Sequence, residues 1–413
     1  MVIKMGALGR IKEYLRVQKK KPLVISSAPG RVDFLNTHQD YKGLPVIPIA
    51  VDKRVYFVAT RSIRDRFIVT SINLDRKGEF YLDDLVPRGR DFVDYLKACI
   101  SVLVNTRLLR LDHGYEVVIG GDIPIGGGLG SSGALEVAFI KLLSYLYGLN
   151  IDQIDIAEYA FKAENEIMKI PCGRLDQYAS AIGGTILLKP AYPPSIEKLN
   201  PPPLELVVID SGVKHSTASI HPTRQSEINQ AIRELKLMDI PDSLREKLGD
   251  SYDSAKWDEL SEPELSKYIS KISRKPADRL LFTVRMNELT KIAVKILKNE
   301  SLGISDRKRL KDLGIASSDP QEALCSIVNK QHELLRDLYE VSTPEIERIR
   351  DTILERGAEA AKISGAGLGG CIIALVKRSR IKDVIDGAIE AGAKSAYHVK
   401  VDEGAKIEHM MSY

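Results

Sequence analysis

Hydrophobic and polar residues follow two kinds of pattern along this 413-residue chain. Residues 115–119 alternate in the way that a half-buried strand does, and residues 134–146 are mostly apolar, as in a buried helix. Near the N-terminus, Leu8, Ile11 and Leu15 recur at helical spacing and predict a short amphipathic helix. These patterns predict a protein that mixes strands and helices.

The rest of the chain divides in the same way. Apolar runs predict further strands at residues 23–27, 46–50, 204–210, 371–376 and 396–401, and periodic runs predict helices at residues 152–168, 263–299, 320–339, 344–356 and 381–391. Proline-rich segments at 192–194 and 201–203 precede the strand at 204–210. We therefore expect a domain boundary near residue 205, with an N-terminal domain at 1–205 and a C-terminal domain at 206–413.

A glycine-rich loop joins the strand at 115–119 to the helix at 134–146. The loop consists of Pro124, Gly126, Gly127, Gly128, Leu129 and Gly130 with the intervening Ile125, and it ends in Ser131 and Ser132. The N-terminus of a helix exposes unpaired N–H groups, and glycines let an anion approach the backbone closely. We interpret the loop as a phosphate cradle.

A glycine-rich turn followed by a serine-capped core helix is the alternative interpretation of this loop. The glycine-rich loop matches neither of two common nucleotide-binding motifs. No Gly-Lys-Ser/Thr follows the loop, and it lacks the dinucleotide pattern with an acidic residue about 20 positions further on.

Two other stretches carry candidate chemistry. Arg31, Asp33, His38 and Asp40 lie within ten positions between two predicted strands, where a pinned loop would hold binding groups in place. A charged surface loop with internal ion pairs is the alternative. Further on, Asp176 follows a corner made by Pro171, Cys172 and Gly173. Taken by itself, Asp176 also fits an ordinary carboxylate in the first turn of a helix.

The amino-acid composition argues against several classes of protein. The chain has 60 basic and 56 acidic residues and a net charge of +4, which does not favour a nucleic-acid or membrane partner. The four cysteines have no C-x-x-C spacing, which argues against metal clusters and disulfides and favours the reducing cytoplasm. No apolar run reaches the roughly 18 residues that a membrane helix needs.

Taken together, the motifs resemble those of the GHMP small-molecule kinases, and within them the galactokinases. Residues 30–41 resemble the family run G-R-V-N-L-I-G-E-H-T-D-Y, residues 124–132 resemble P-x-G-x-G-L-x-S-S, and residues 364–371 resemble T/S-G-x-G-x-G-G-C. Residues 171–176 match a P-C-G-x-x-D corner of galactokinases. The motifs occur in the family's order across most of the chain.

This resemblance implies an α+β fold with two domains, an N-terminal domain of the ribosomal-protein-S5 type and a ferredoxin-like C-terminal domain. It implies ATP-dependent phosphorylation of a hexose at the anomeric C1 hydroxyl, giving a sugar 1-phosphate and ADP. Asp176 would orient the C1 hydroxyl or take its proton, and Arg31 beside it would stabilise charge on the transferring phosphoryl group. The protein would be a monomer or a homodimer.

The resemblance also implies binding residues. Ser132 and Glu164 would hold Mg²⁺ at the ATP phosphates, and the loop from Pro124 to Ser131 would cradle those phosphates. The loop at Ser364–Gly370 would support the active site. The residues that would contact the sugar are Thr37, His38, Asp40, Gly173 and His221.

Several positions depart from the family pattern. Thr37 replaces a Glu that contacts the C6 hydroxyl of the sugar in galactokinases, Asn36 replaces a Gly and Asp33 an Asn. His221 replaces a Tyr, and Arg174 replaces an apolar residue. These changes remove one negatively charged carboxylate and add His and Arg. The predicted sugar pocket would therefore repel an anionic substrate less. The sugar could then carry a C6 carboxylate, as in galacturonate, or lack C6, as in arabinose. Alternatively, the Thr37 hydroxyl binds O6 of galactose.

Two further functions remain open. A regulator on the same scaffold would bind ATP and sugar without turnover. A GHMP kinase acting on mevalonate or homoserine would fit the glycine loops, but it would not explain residues 38–41 together with the corner at 171–173.

Overall fold

The computed structural model describes residues 5–89, 91–124, 127–213, 220–317 and 319–408. The strands are β1 (Val24–Leu35), β2 (Ile47–Ile63), β3 (Arg66–Ser71), β4 (Arg76–Tyr81), β5 (Gly114–Gly121), β6 (Thr185–Lys189), β7 (Ser195–Leu199), β8 (Glu205–Asp210), β9 (Ala358–Ser364), β10 (Cys371–Val376), β11 (Ser395–Val399) and β12 (Lys406–Ile407). The helices are α1 (Ala7–Val17), α2 (Phe92–Asn105), α3 (Ser131–Leu146), α4 (Gln153–Lys162), α5 (Leu175–Ile182), α6 (Ile220–Lys236), α7 (Asp242–Leu248), α8 (Glu262–Ile269), α9 (Arg274–Leu297), α10 (Ile304–Asp312), α11 (Pro320–Asp337), α12 (Pro344–Glu355) and α13 (Ile381–Glu390).

The chain forms two compact units that are interleaved along the sequence. The first unit comprises Met1–Arg31, Ile49–Gly184 and Val401–Tyr413, and the second comprises Val32–Pro48 and Thr185–Lys400. A single cut near residue 205 does not describe these units, because β1 and β2 each contribute residues to both. The boundary near residue 205 between the two domains that the family resemblance implies stays a prediction.

In the first unit the strands follow the order β12-β1-β2-β5-β3-β4. Strand β5 pairs antiparallel with β2 and parallel with β3. The predicted N-terminal helix is α1, and its buried Ile11 and Leu15 pack on Ile25, Val58 and Val118 of the sheet. The amphipathic stripe in the sequence is therefore the face that covers one side of this sheet.

In the second unit an antiparallel sheet has the order β11-β8-β10-β9. Helices α6 to α12 lie between β8 and β9 in the chain, and α13 connects β10 to β11. Numbered along the chain, this order is 4-1-3-2, which is that of a ferredoxin-like sheet. The ferredoxin-like prediction for the C-terminal part is confirmed.

Two sequence-based expectations were wrong about local structure. Residues 28–35 are not a loop, because β1 continues through Leu35 with every residue buried. Pro29, Gly30 and the charged Arg31 interrupt the hydrophobic pattern, but residues distant in sequence satisfy their polar groups. The helix expected at 263–299 is two helices, α8 and α9. Among the described residues, none of the helices is both long enough and apolar enough to cross a membrane.

Strand β9 is held from behind by a buried histidine. His332 Nδ1 accepts a hydrogen bond from Ile363 N–H at 3.3 Å, so Nε2 carries the proton that is donated to Glu347 at 2.8 Å. The Ser342 hydroxyl also donates to Glu347. Burial acts to raise the pKa of Glu347, but the hydrogen bonds from His332 and Ser342 outweigh it and lower that pKa to about 2.

A depressed carboxyl pKa contributes stability above the ordinary value of 4.5, and this contribution is lost as pH falls from 4.5 towards 2. We expect Glu347→Gln to lower the free energy of unfolding by about 1–2 kcal/mol at pH 7, allowing for partial exposure of the carboxylate. The difference from wild type should shrink towards pH 2 in denaturant titrations. Glu355→Gln, at an exposed position ending the same helix, is the control. The same pH dependence in both variants would contradict the assignment.

Candidate active site

The glycine loop ends at the N-terminus of α3. Gly130 occupies the N-cap with a left-handed φ of +67°, Ser131 and Ser132 are the first two helical residues, and no side chain caps this end. The serine-capped alternative is therefore not what the structure shows. The first N–H groups of α3 are available to an anion, and the helix dipole favours negative charge there. Of the predicted loop residues, Ile125 and Gly126 lie outside the described residues.

The backbone of strand β1 lies within hydrogen-bonding distance of the backbone of the glycine loop. Arg31 N–H donates to Leu129 O at 3.0 Å. A Cβ on Gly30 would lie 2.8 Å from the same carbonyl oxygen, so this position excludes any larger residue. The contact fixes Arg31 beside the loop.

The Arg31 guanidinium binds Asp176 in bidentate fashion. Its Nε and Nη2 donate to the two carboxylate oxygens of Asp176 at 2.8 and 2.7 Å. Its Nη1 donates to Gly128 O at 2.5 Å. The structure thus brings Arg31, Asp176 and the glycine loop together in the first unit, although the first two are 145 positions apart in sequence.

Asp176 lies in the first turn of α5, in close contact with α3. A Cβ on Gly133 would lie 3.0 Å from Asp176 Cβ and 3.3 Å from Gln177 N. The absence of a side chain at Gly133 lets the two helices meet at the carboxylate.

Glu164 is buried, not solvated as its sequence position alone would suggest. It lies in a π-helical turn at Ala163–Ile167 that continues α4, and π turns often occur at functional sites. The Ser132 hydroxyl acts to lower the pKa of Glu164, but burial outweighs it. Burial, and next the Asp176 charge, raise the pKa of Glu164 to about 7. Burial, and next the Glu164 charge, raise the pKa of Glu136 well above its ordinary value.

The Ser132 hydroxyl and the Glu164 carboxylate fit Mg²⁺, which usually binds one or two carboxylates together with water and substrate phosphates. Among the described residues there is no group of three or more His, Cys, Asp or Glu side chains that could hold a metal by itself. A magnesium site here would therefore depend on the nucleotide.

The corner that precedes α5 is pinned to the π-helical turn. Asn165 Nδ2 donates to Cys172 O at 3.2 Å, which fixes the chain just before Gly173. Arg174 donates to Glu158 through Nε and Nη2 at 2.9 and 3.0 Å, and its guanidinium lies 4.2 Å from the Phe161 ring centre. Glu158 balances the positive charge of Arg174. Arg174 therefore does little to help the sugar pocket accept an anionic substrate, although the sequence suggested that it would.

An apolar cavity of about 330 Å³ adjoins Ser131 and Ser132 in the first unit. Its walls include Val55, Phe92, Tyr95, Ile123 and Leu135. This size and lining are typical of small-molecule sites. No signal in the sequence marked this cavity, because the i, i+3 spacing of Phe92 and Tyr95 is indistinguishable from that of a core helix.

In the second unit, residues 33–38 contact the glycine loop at Ser364–Gly370. Ser364 Oγ accepts a hydrogen bond from Asp33 N–H at 2.8 Å, and His38 Nε2 donates to Ala366 O at 3.0 Å. Asn36 has a φ of +65°, a left-handed conformation that Asn tolerates better than most residues. Asn can therefore replace the family's Gly at this position.

His38 and His221 lie together, with ring centres 5.2 Å apart, and Tyr41 lies 5.1 Å from His221. Burial, and next the charges of His221 and Lys42, lower the pKa of His38 well below its ordinary value. His38 is therefore neutral, and because its Nε2–H is donated to Ala366, Nδ1 is an acceptor. Asp40 begins the short 3₁₀ turn that follows, Asp40–Lys42.

A buried cation lies behind Thr37. Lys362 Nζ donates to Thr37 Oγ1 at 2.7 Å, to Asp33 O at 2.9 Å and to Ile363 O at 2.8 Å. Burial lowers the pKa of Lys362 to about 8, and the Asp33 charge opposes that shift. No signal in the sequence linked Lys362 to Thr37, 325 positions away.

Comparison with known proteins identifies the family. The family models "GHMP kinases N terminal domain", "GHMP kinases C terminal" and "Galactokinase galactose-binding signature" match residues 94–184, 306–394 and 12–61. Galactokinase of Clostridium acetobutylicum is 30% identical over 92% of this chain and 93% of its own length. Galactokinase of Thermococcus kodakarensis is 32% identical over 86% of this chain and 89% of its own length.

A solved structure of Lactococcus lactis galactokinase complexed with galactose is also similar. It is 25% identical, with a TM-score of 0.76, and the match covers 97% of this chain and 99% of that one. The predicted two-domain α+β GHMP kinase fold is confirmed. The chain belongs to the GHMP kinase family and, within it, to the galactokinase-like sugar kinases.

Proposed function

We propose that this protein transfers the γ-phosphoryl group of ATP to the C1 hydroxyl of galactose, giving a sugar 1-phosphate and ADP. The observation that carries this proposal is the bidentate pair of Arg31 and Asp176, held against the glycine loop at the start of α3. A regulator without turnover is not favoured, because the similar proteins that cover 86–92% of the chain are galactokinases.

The nucleotide would bind in the first unit. The N–H groups at the start of α3 and the loop from Pro124 to Ser131 would hold the phosphates, as helix N-termini commonly do. The apolar cavity beside Ser131 and Ser132 suits a purine base, because it offers aromatic and aliphatic walls to a flat ring.

Ser132 and Glu164 would hold Mg²⁺. When bound, the metal would neutralise charge on the phosphates of ATP. Burial makes the carboxylates of Glu136 and Glu164 costly to charge, so this cluster favours a cation over a further anion.

Asp176 would orient the C1 hydroxyl, and it has the chemistry to accept the hydroxyl proton. Arg31 holds the carboxylate in one orientation with two hydrogen bonds and presents positive charge beside the glycine loop. Phosphoryl transfer depends mainly on positioning and electrostatic stabilisation, and this arrangement supplies both.

The sugar would be bound by Thr37, His38, Asp40, Gly173 and His221. Neutral His38 can accept a hydrogen bond from a sugar hydroxyl at Nδ1, and Asp40 can accept one at its carboxylate. Thr37 can donate, because its oxygen already accepts from Lys362.

Several expectations from the sequence stay predictions. These are a cytoplasmic location, a monomer or homodimer, and the lack of a nucleic-acid or membrane partner.

We expect Asp176→Asn to lower kcat by about 100-fold or more, since it removes the group that orients the hydroxyl or takes its proton. Arg31→Lys keeps the charge but loses the bidentate geometry, so kcat should fall by about 10- to 100-fold. Both are measured as ADP release from ATP and galactose. Arg16→Lys, which breaks a similar bidentate pair with Glu13 on the exposed face of α1, should retain activity. Equal losses in all three variants would refute the assignment.

Gly133→Ala tests the contact between α3 and α5. The added methyl would displace Asp176 by a few tenths of an ångström, and we expect kcat to fall by about tenfold. Alanine favours a helix more than glycine, so the thermal midpoint should stay within about 4 °C of wild type. Gly9→Ala is a matched control, because Gly9 is likewise the third residue of its helix and the nearest atom to its Cβ would be Met5 Cβ at 3.5 Å, an ordinary van der Waals distance. Unchanged kcat in Gly133→Ala would show that this contact does not position the carboxylate.

A second candidate substrate is a sugar with a C6 carboxylate, such as galacturonate. The observation in its favour is the Lys362 ammonium behind Thr37, at the position where galactokinases carry a Glu that contacts the C6 hydroxyl. A carboxylate at C6 would be attracted by this charge, whereas arabinose, which lacks C6, would not.

The pH dependence separates these substrates. Lys362 is charged below a pKa of about 8, so its charged fraction falls by about tenfold between pH 7 and pH 9. If this charge binds a C6 carboxylate, kcat/KM for galacturonate relative to galactose should fall by up to about tenfold over that range. The ratio for arabinose should not change, and N-acetylgalactosamine completes the panel. Clear preference for galactose at every pH would reject the C6-carboxylate substrate.

A further inference from the structure

Gln177 lies at the meeting point of three elements that carry proposed active-site residues. It follows Asp176 in α5, and its backbone N is within 3.3 Å of where a Cβ on Gly133 of α3 would lie. Its side chain is fully buried and reaches the π-helical turn that carries Glu164.

The side-chain amide is shared between two carboxyl groups. Gln177 Nε2 donates to Glu164 at 2.6 Å and is 3.4 Å from the carboxyl of Glu136, which lies on α3. The NH₂ end of the amide faces both carboxyl groups, whose unprotonated oxygens are acceptors. The hydrogen bond at 2.6 Å ties the Glu164 carboxyl to Gln177.

This arrangement is not what stability alone would favour. Gln177 Oε1 is buried and has no hydrogen-bond partner among the described residues, and neither does Glu136 Oε1. A buried acceptor without a hydrogen-bond partner is unfavourable for folding. A buried polar group retained at such a cost calls for an explanation, and orienting Glu164 supplies one.

We propose that Gln177 is a positioning residue that orients the Glu164 carboxylate for the divalent cation and ties it to the helix that carries Asp176. This inference rests on the proposed function, since it assumes that Glu164 binds the metal. Residues that orient metal ligands from behind commonly contribute about 10- to 100-fold in metal affinity or activity.

Gln177→Met keeps the size of the side chain and removes the donor. We expect the affinity for Mn²⁺, measured by electron paramagnetic resonance of the free ion in the presence of a non-hydrolysable ATP analogue, to fall by about 10- to 100-fold. The Mg²⁺ concentration that gives half-maximal rate should rise in parallel, while KM for galactose should change by less than about threefold.

Gln153→Met is a matched control. Gln153 also donates through Nε2, to Ala405 O at 2.7 Å, and it also has a buried Oε1 without a partner among the described residues. It should bind Mn²⁺ as wild type does. If Gln177→Met fails to fold, Gln177→Asn, which keeps the amide but withdraws it by one methylene, is measured in the same way and should also lose Mn²⁺ affinity.

Unchanged Mn²⁺ affinity in a folded Gln177 variant would overturn the proposal. So would a loss spread equally over Mn²⁺ affinity, KM for galactose and thermal midpoint, because that pattern indicates general loosening. The proposed function fails separately, if wild-type protein does not phosphorylate galactose although its Mn²⁺ affinity still depends on Gln177.

Discussion

Strand β1 lies closer to the glycine loop, and α3 lies closer to α5, than ordinary side chains would allow. The hydrogen bond from Arg31 N–H to Leu129 O requires a residue without Cβ at Gly30, and the contact between α3 and Asp176 requires the same at Gly133. A side chain at either position would displace the backbone or the carboxylate. The Arg31–Asp176 pair therefore depends on these close contacts before any electrostatic term contributes.

The first unit concentrates carboxyl groups behind this contact. Glu136 and Glu164 are buried near Asp176. Burial raises the pKa of both glutamates, and the next cause is the Asp176 charge for Glu164 and the Glu164 charge for Glu136. Such a cluster is unfavourable in an empty, dry site and favourable towards a cation. Gln177 connects two of its members. The burial that makes these carboxylates costly to charge is therefore also what favours the binding of a cation.

In the second unit, two motifs far apart in sequence form one structure. The backbone at Asp33 and the ring of His38 bind Ser364 and Ala366 of the glycine loop at Ser364–Gly370, and Lys362 joins Asp33 to Thr37. Further back, His332 and Glu347 support the same strand, β9. Residues 33–38 and the segment from Lys362 to Ala366 are therefore joined by hydrogen bonds into one structure within this unit.

Hydrophobic periodicity and motif spacing were enough to predict many of the helices and strands and the position of the glycine loop. The apolar stripe of Leu8, Ile11 and Leu15 marked α1, and the glycine loop marked the start of α3, because such signals are local. The tertiary structure alone decided that β1 runs on through Arg31, that Glu164 is buried and that Lys362 lies behind Thr37. In each case the partner that satisfies a buried polar or charged group comes from a distant part of the chain, and a local pattern carries no information about it.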